Sequence, residues 1–420
     1  MLKRIGALAV TAGVVAAVVA ATLGGTATAS AQNSPLCKKA GLGFAGPLTG
    51  GAGFLGKDQS NWVKLFIKSW NAGKAIPGVP TSLKRVKLNL AVEGDSQLNP
   101  DVAAGVARQM VANKSILGMV GFAGSNETLG GGVVLDNAHM GYVSGSATLD
   151  TLATGAKGQK KLTDFFRVVP QNAQQARTGV PYIIKALNLK AGNKIMIVDD
   201  GEAYGIGLSN DAQALFKAHK ITVIRKSVKE TDVNPGGSTG FATDIAPVAL
   251  TAVADNVKLV YAPSQDAPDS QTFDQQLKTD GYTGGFMATD GSVSPTQFNT
   301  PGAYLSFFGP SITKINKSYR NAYIAAYGHT SATDPFGAPS FVAAQMLGVA
   351  ISQACSAGLS SNLTTARQAV VNKLKKVKQS TTILGYSMAF NNPADAYHGP
   401  KSGVTIFKIQ SNGSYKQVAP

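Results

Sequence analysis

Between residue 39 and about residue 290, short apolar runs alternate with stretches of helical period, and the pattern runs through twice. Leu42–Ala45 reads as a strand. Trp62, Val63, Phe66, Ile67 and Trp70 then recur at helical spacing and give one apolar face. Val86, Leu88, Leu90 and Val92 alternate as a second strand, and Asp101–Ala112 reads as a helix. Ile116–Val120 is a short buried strand, a helix opens near Ser125, and 141–144 is a further strand. The pattern restarts with helices at 172–187, 204–218, 241–252 and 270–279, interleaved with strands at 194–198, 221–225, 257–261 and 285–287. Strand–helix alternation of this length predicts α/β architecture: parallel, doubly wound sheets with helices on both faces. Two runs of it predict two lobes, in keeping with a length of 420 residues. After residue 310, three helices (315–327, 340–357, 364–376) precede short strands at 388–390, 404–409 and 415–418.

The first 31 residues have a different character. Lys3 and Arg4 form a basic end, an uncharged Ala/Val/Gly run follows from Ile5 to Leu23, and Ala29-Ser30-Ala31 is a small-x-small pattern. This is the layout of a secretory signal cleaved after Ala31, which puts the rest of the chain outside the cytoplasm. The alternative is a membrane anchor. The polar Gln32-Asn33-Ser34 and the cleavage pattern favour removal, and Leu36 before Cys37 disfavours a lipid anchor there. No later stretch reads as a membrane span, so a soluble, secreted protein is expected.

Formal net charge is +16. The cations are scattered, with the densest cluster at Lys373–Lys378, and no aromatic-rich basic stripe accompanies them, so nucleic acid is not the expected partner. Attraction to an acidic cell wall or anionic lipid heads fits the charge better. The only cysteines are Cys37 and Cys355, and an oxidising compartment permits their disulfide. No histidine stands at ligand spacing from either, so no metal site and no cofactor is expected.

Catalytic patterns are weak. Gly51–Asp58 approaches a phosphate-binding loop, but Asp58 stands where a hydroxyl is needed for magnesium. Gly236–Gly240 matches G-x-S-x-G around Ser238 without the strand that a nucleophile elbow requires. His139, His219, His329 and His398 are isolated from one another. A binding constellation is better formed. Val120–Thr128 is a strand running through glycines into a helix that Ser125 would cap, and a helix N-terminus suits a carboxylate. Ser144–Thr148, with Ser146, Ala147 and Thr148, is a second small, hydroxyl-rich strand end. In doubly wound sheets both tips occupy the ligand-binding edge.

Together these residues resemble the branched-chain amino-acid-binding proteins, solute-binding subunits of ABC importers with the type I periplasmic-binding-protein fold. Gly43–Gly50 resembles the family's opening strand and G-P-x-[ST]-G loop. Gly124–Thr128 resembles its second loop, Ser146–Thr148 its third, Arg167–Asn172 its first interlobe crossing, and Val198–Leu208, with Asp200, Tyr204, Gly205, Gly207 and Leu208, its D-x-x-x-Y-G-x-G-L segment. The resemblance implies two lobes joined by three crossings, with lobe one at 37–168 and 294–384 and lobe two at 169–293 and 385–420. Both cysteines then fall in lobe one. It also implies that Ser125, Ala147 and Thr148 hold the ligand's α-carboxylate, with Ser146 of the same third loop among the ligand-binding residues, and that Asp290 meets its ammonium group. Tyr204 would close over the site and Leu55 would touch the ligand side chain. Where the family often has an aromatic after the 257–261 strand, this chain has Gln265 or Asp266, which makes a more polar or amide ligand an alternative to an aliphatic one. The implied protein is a monomer and not an enzyme, with a small-molecule ligand (an amino acid or similar solute) and ABC importer subunits as partners. The alternatives are a sensor of the same fold that acts on a receptor, and a secreted enzyme.

Overall fold

A computed structural model describes residues 34–228, 239–328, 336–390 and 403–419. The signal reading at 1–31, Ser238, His329, His398 and most of the 229–239 loop lie outside the described residues.

Sheet one holds β1 (Ala40–Gly46), β2 (Leu88–Asp95), β3 (Ile116–Val120), β4 (Tyr142–Ser144) and β5 (Phe165–Arg167). Their order is β2-β1-β3-β4-β5, and every pair is parallel. Sheet two contains β6 (Lys194–Asp199), β7 (Thr222–Ser227), β8 (Leu259–Ala262), β9 (Gly285–Ala288) and β10 (Tyr304–Phe307) in the parallel order β7-β6-β8-β9-β10. A two-strand ribbon, β11 (Lys378–Gln379) with β12 (Met388–Ala389), stands apart. The last strands, β13 (Thr405–Ile409) and β14 (Tyr415–Ala419), extend sheet two beyond β10 in antiparallel pairing, so sheet two is not parallel throughout.

Helices cover both faces of sheet one. On one face lie Gly53–Asn71 and Ala338–Ser356, with Trp62, Phe66 and Phe341 buried between them. Trp62 stacks on Tyr323 at 4.3 Å, and Phe66 meets Phe341 edge-on at 5.2 Å. The predicted apolar face therefore points inward, with Ile67 only partly buried. Helices Pro100–Ala112 and Ser125–Asn137 cover the other face. Asn99 caps the former, its side chain accepting from the amides of Asp101 and Val102. Ala338–Ser356 is long and apolar enough to cross a membrane, contrary to the sequence reading, but it is 94% buried as the central helix of lobe one.

Two strands and two boundaries differ from expectation. β5 and β10 are fully buried runs of three and four residues, too short to carry a period. Because β10 pairs with β9 and β13, the chain remains in lobe two beyond residue 294, through Phe307. Ile315 is the next residue in the lobe-one core. Met388 and Phe390 also pack in that core, so the return to lobe two falls after Phe390 rather than at 385. The chain thus passes between the two sheets three times: after β5, after β10 and after β12.

Asp58 belongs to the architecture. It is buried, and its carboxylate accepts from the Tyr323 hydroxyl and from the Gly337 amide at 2.6 Å, joining three helical segments. The Cys37–Cys355 disulfide is formed, with Cα atoms 5.7 Å apart, and closes a span of 318 residues. It pins the segment before β1 to the end of the central helix. Opening a loop of this size by the double substitution Cys37→Ser/Cys355→Ser is expected to lower stability by about 2–4 kcal/mol in urea titration.

Candidate ligand site between the lobes

In each sheet the strand order reverses beside its first strand, β1 in sheet one and β6 in sheet two. The crevice outside the carboxyl ends of such strands is where open α/β sheets bind ligands. Both crevices contribute to a single cavity. Lobe one supplies Leu55 after β1, Leu98 after β2, Ala123, Gly124 and Ser125 after β3, and Ser146 after β4. Lobe two supplies Tyr204 after β6, Gln265 after β8, and Asp290 and Gly291 after β9. Phe336 completes the lining. The space between these side chains is about 20 Å³. That is room for about one water molecule, so in this arrangement the lobes are shut on each other.

The lobe-one half is a helix N-terminus held from below. Glu127 sits at the third position of helix Ser125–Asn137, and its carboxylate accepts from the Gly124 amide at 2.5 Å, from the Leu98 amide at 3.1 Å and from the Ser96 hydroxyl. This is the glutamate half of a capping box. Burial pushes the Glu127 carboxyl up to about 7 against the pull of these hydrogen bonds. Gln97 and Leu98 both have φ of 54°, a region that side-chain-bearing residues rarely adopt. Glu127 on the Leu98 amide, Asn126 on the Leu98 carbonyl and Asp95 on the Gln97 amide hold them there. The strained turn is what aims Leu98 into the cavity.

Ser125 Oγ accepts from the Leu149 amide at 3.2 Å, and Ser146 Oγ donates to the Ala123 carbonyl at 2.8 Å while Gln59 donates to it at 2.6 Å. Ala147 and Thr148 do not line the cavity, contrary to the resemblance-based expectation. Their turn closes on itself: the Ser146 and Ala147 amides donate to Ser144 Oγ, and Arg167 bonds the Ala147 and Leu149 carbonyls. Thr148 Oγ1 is left buried without a partner behind the wall.

The lobe-two half centres on a carboxylate. The Tyr204 hydroxyl lies 2.5 Å from Asp290 Oδ1 and 2.8 Å from Thr289 Oγ1. Asp290 is 3% exposed, and no cation lines the cavity. Burial pushes its carboxyl up to about 6 although the Tyr204 hydroxyl pulls the other way. The Tyr204 phenol is raised well above its ordinary value by burial and by Asp290. Gln265, not Asp266, faces the cavity. Asp266 instead caps helix Ala267–Thr279 by accepting from the Asp269 amide, while the Gln265 amide and side chain both point at Asp200 Oδ2, at 3.2 and 3.4 Å.

The halves also touch directly. Asn126 Nδ2 is 3.4 Å from Glu202 Oε2 across the gap. Ala52 and Leu55 join the apolar cluster of lobe two, with Phe307 and Phe308. A Cβ added at Gly51 would lie 1.9 Å from Asp266 Oδ2, so a larger residue there would have to displace that carboxylate on the opposite lobe. Leu98, Phe336 and Glu127 were not anticipated. The S-x-E pattern of Ser125–Glu127 held the one available hint, at a spacing one residue short of the usual capping signature.

Residues 40–414 match the sequence profile of the periplasmic binding proteins. The chain belongs to that family. It is 25% identical over 261 residues to the amino acid binding protein of Pseudomonas aeruginosa, covering 62% of this chain and 63% of the relative. It is 24% identical over 241 residues to the Leu/Ile/Val-binding protein homolog 8 of Brucella abortus, covering 56% and 54%. The matches thus span between about half and just under two thirds of those relatives. Among solved structures, the fold is similar to the leucine binding protein LivK of Thermotoga maritima, with a TM-score of 0.74 at 18% identity over 90% of this chain and 98% of that one. It is also similar to LivJ of Streptococcus pneumoniae in complex with isoleucine, with a TM-score of 0.70 at 18% identity over 91% and 100%. The architecture is therefore the type I one.

The buried carboxylates set the pH response of the unliganded protein. For Asp290 the folded value, about 6, lies above the reference value of 3.8. Its contribution is fully present below 3.8 and is lost as pH rises through 6. Asp290→Asn is expected to flatten this decline and to raise stability at neutral pH by up to about 3 kcal/mol, read from urea melts across pH.

Proposed function

We propose that this protein captures an amino acid between its lobes outside the cytoplasm and delivers it to an ABC importer. One observation carries the reading. A buried carboxylate without a counter-cation, Asp290, shares one cavity with a helix N-terminus presented by Gly124 and Ser125. The first N–H groups of a helix lack intrahelical acceptors and favour an anion. The two groups therefore call for one ligand with an ammonium at one end and a carboxylate at the other. They stand on opposite lobes, so a zwitterion stabilises the closed form over the open one, and closure follows binding. The tight space between the lobes means that solute enters and leaves only when they part.

Within this reading Ser125 and Ser146 attend the carboxylate, Asp290 takes the ammonium, and Tyr204 orients Asp290. Leu55, Leu98 and Phe336 supply apolar walls, and Gln265 adds a polar one. Amide amino acids therefore belong beside leucine, isoleucine and valine as candidates. The relatives named for amino acids support the solute class, and the family supports the extracytoplasmic setting and the importer.

Thermal unfolding of the protein against a panel of amino acids, amides, carboxylic acids and sugars tests the proposal. A cognate ligand at 100 times its dissociation constant is expected to add about 2.7 kcal/mol of stability. Asp290→Ala is expected to weaken binding roughly 30-fold or more, as loss of a buried charged partner does, and Ser125→Ala by less. A panel in which no zwitterion shifts the transition overturns the reading.

A further inference from the structure

The positive charge of this protein resides almost wholly on one lobe. Among the described residues, lobe one (34–168, 309–328 and 336–390) carries 23 Lys and Arg against 8 Asp and Glu. Lobe two (169–228, 239–308 and 403–419) carries 12 against 11. The imbalance has a focus. A pocket of about 360 Å³ is lined by Lys38, Lys84, Arg85 and Lys87, with the Cys37–Cys355 disulfide in its wall. Arg85 is set in place, its guanidinium 4.9 Å over the Trp70 ring and 2.8 Å from the Lys74 carbonyl.

Topology locates this pocket. Residues 37–39 lead into β1, 84–87 into β2, and Lys114 stands just before β3. In a parallel sheet these lie at the amino edge, the end opposite the ligand cleft. Lys38, Lys39, Lys84 and Lys87 are exposed there, and no acidic residue occurs between 59 and 92 or from 336 to 390. A small anion would be satisfied by the pocket alone. Cations spread along the starts of β1, β2 and β3 match an extended surface of negative charge.

We propose that the amino-edge pole of lobe one docks the protein on a bilayer of anionic phospholipid, the pocket seating a headgroup phosphate. Docked this way, the cleft at the carboxyl edge stays clear of the lipid. The attraction is independent of which solute the cleft takes, so it stands or falls separately from the transport reading.

Residues 32–420, which contain every described element and omit the apolar leader, are sedimented with vesicles of phosphatidylcholine or of phosphatidylcholine mixed with phosphatidylglycerol. At about 0.1 M salt, binding to the phosphatidylglycerol vesicles alone is expected, and it should weaken as added salt shortens the screening length. The reversal Lys38→Glu/Lys39→Glu/Lys87→Glu is expected to weaken it at least roughly tenfold. The matched lobe-two reversal Lys185→Glu/Lys190→Glu/Lys217→Glu, at exposed positions, should leave most of it. Thermal unfolding confirms that both variants fold, and the three single lobe-one reversals should each give a partial loss. Absent or lipid-indifferent binding overturns the proposal, as does equal loss in the two triple variants. Displacement from vesicles by millimolar inorganic phosphate would assign the pocket to a small anion and overturn it as well.

Discussion

A carboxylate buried with no cation beside it governs the cleft. Asp290 is buried between the lobes, where the Tyr204 hydroxyl and the neutral Gln175 side chain hydrogen-bond it. Hydroxyls lower the cost of burying a charge without cancelling it. Across the gap, a helix N-terminus offers partial positive charge. A molecule that supplies the missing cation to one lobe and an anion to the other makes closure favourable, which gives lobe closure a chemical meaning.

Parallel topology makes this arrangement possible. Each strand in such a sheet ends at the same edge, so loops distant in sequence converge there without contacts of their own to bring them together. Lobe one supports its half rigidly. Glu127 joins the start of its helix to the Ser96–Leu98 turn, and that turn keeps two residues at positive φ. The same topology separates the two poles of lobe one, with the candidate site at the carboxyl edge and the Lys38, Lys39, Lys84, Arg85 and Lys87 cluster at the amino edge.

The core explains how each lobe keeps its own shape. The helices Gly53–Asn71 and Ala338–Ser356 lie some 280 residues apart in sequence yet pack on one face of sheet one, with the Trp62–Tyr323 stack and Asp58 tying in the helix between them. The disulfide closes the same circuit from outside the sheet. Lobe one is therefore assembled from two separated stretches of chain and lobe two from the remainder, which is why three connections run between them.

The sequence by itself determined the class of fold, the long helices and most strands, because buried faces repeat with a period that any window of ten or more residues displays. It also marked the strand ends around Ser125, Ser146, Tyr204 and Asp290, since glycines and small hydroxyl residues after an apolar run announce a turn at the binding edge. Tertiary structure decided the rest. β5 and β10 are too short to carry a period, so only their neighbours in the sheet define them, and with β10 went the true point of return to lobe one. Whether Gln265 or Asp266 faces the ligand depended on which one caps the next helix. Thr148 looked equal to Ser146 in composition and was turned away by Arg167 and Ser144. Leu98 and Phe336 reach the cavity through backbone paths that no local pattern records. Periodicity is a property of neighbours in sequence, whereas a cavity is a property of neighbours in space, and packing alone converts one into the other.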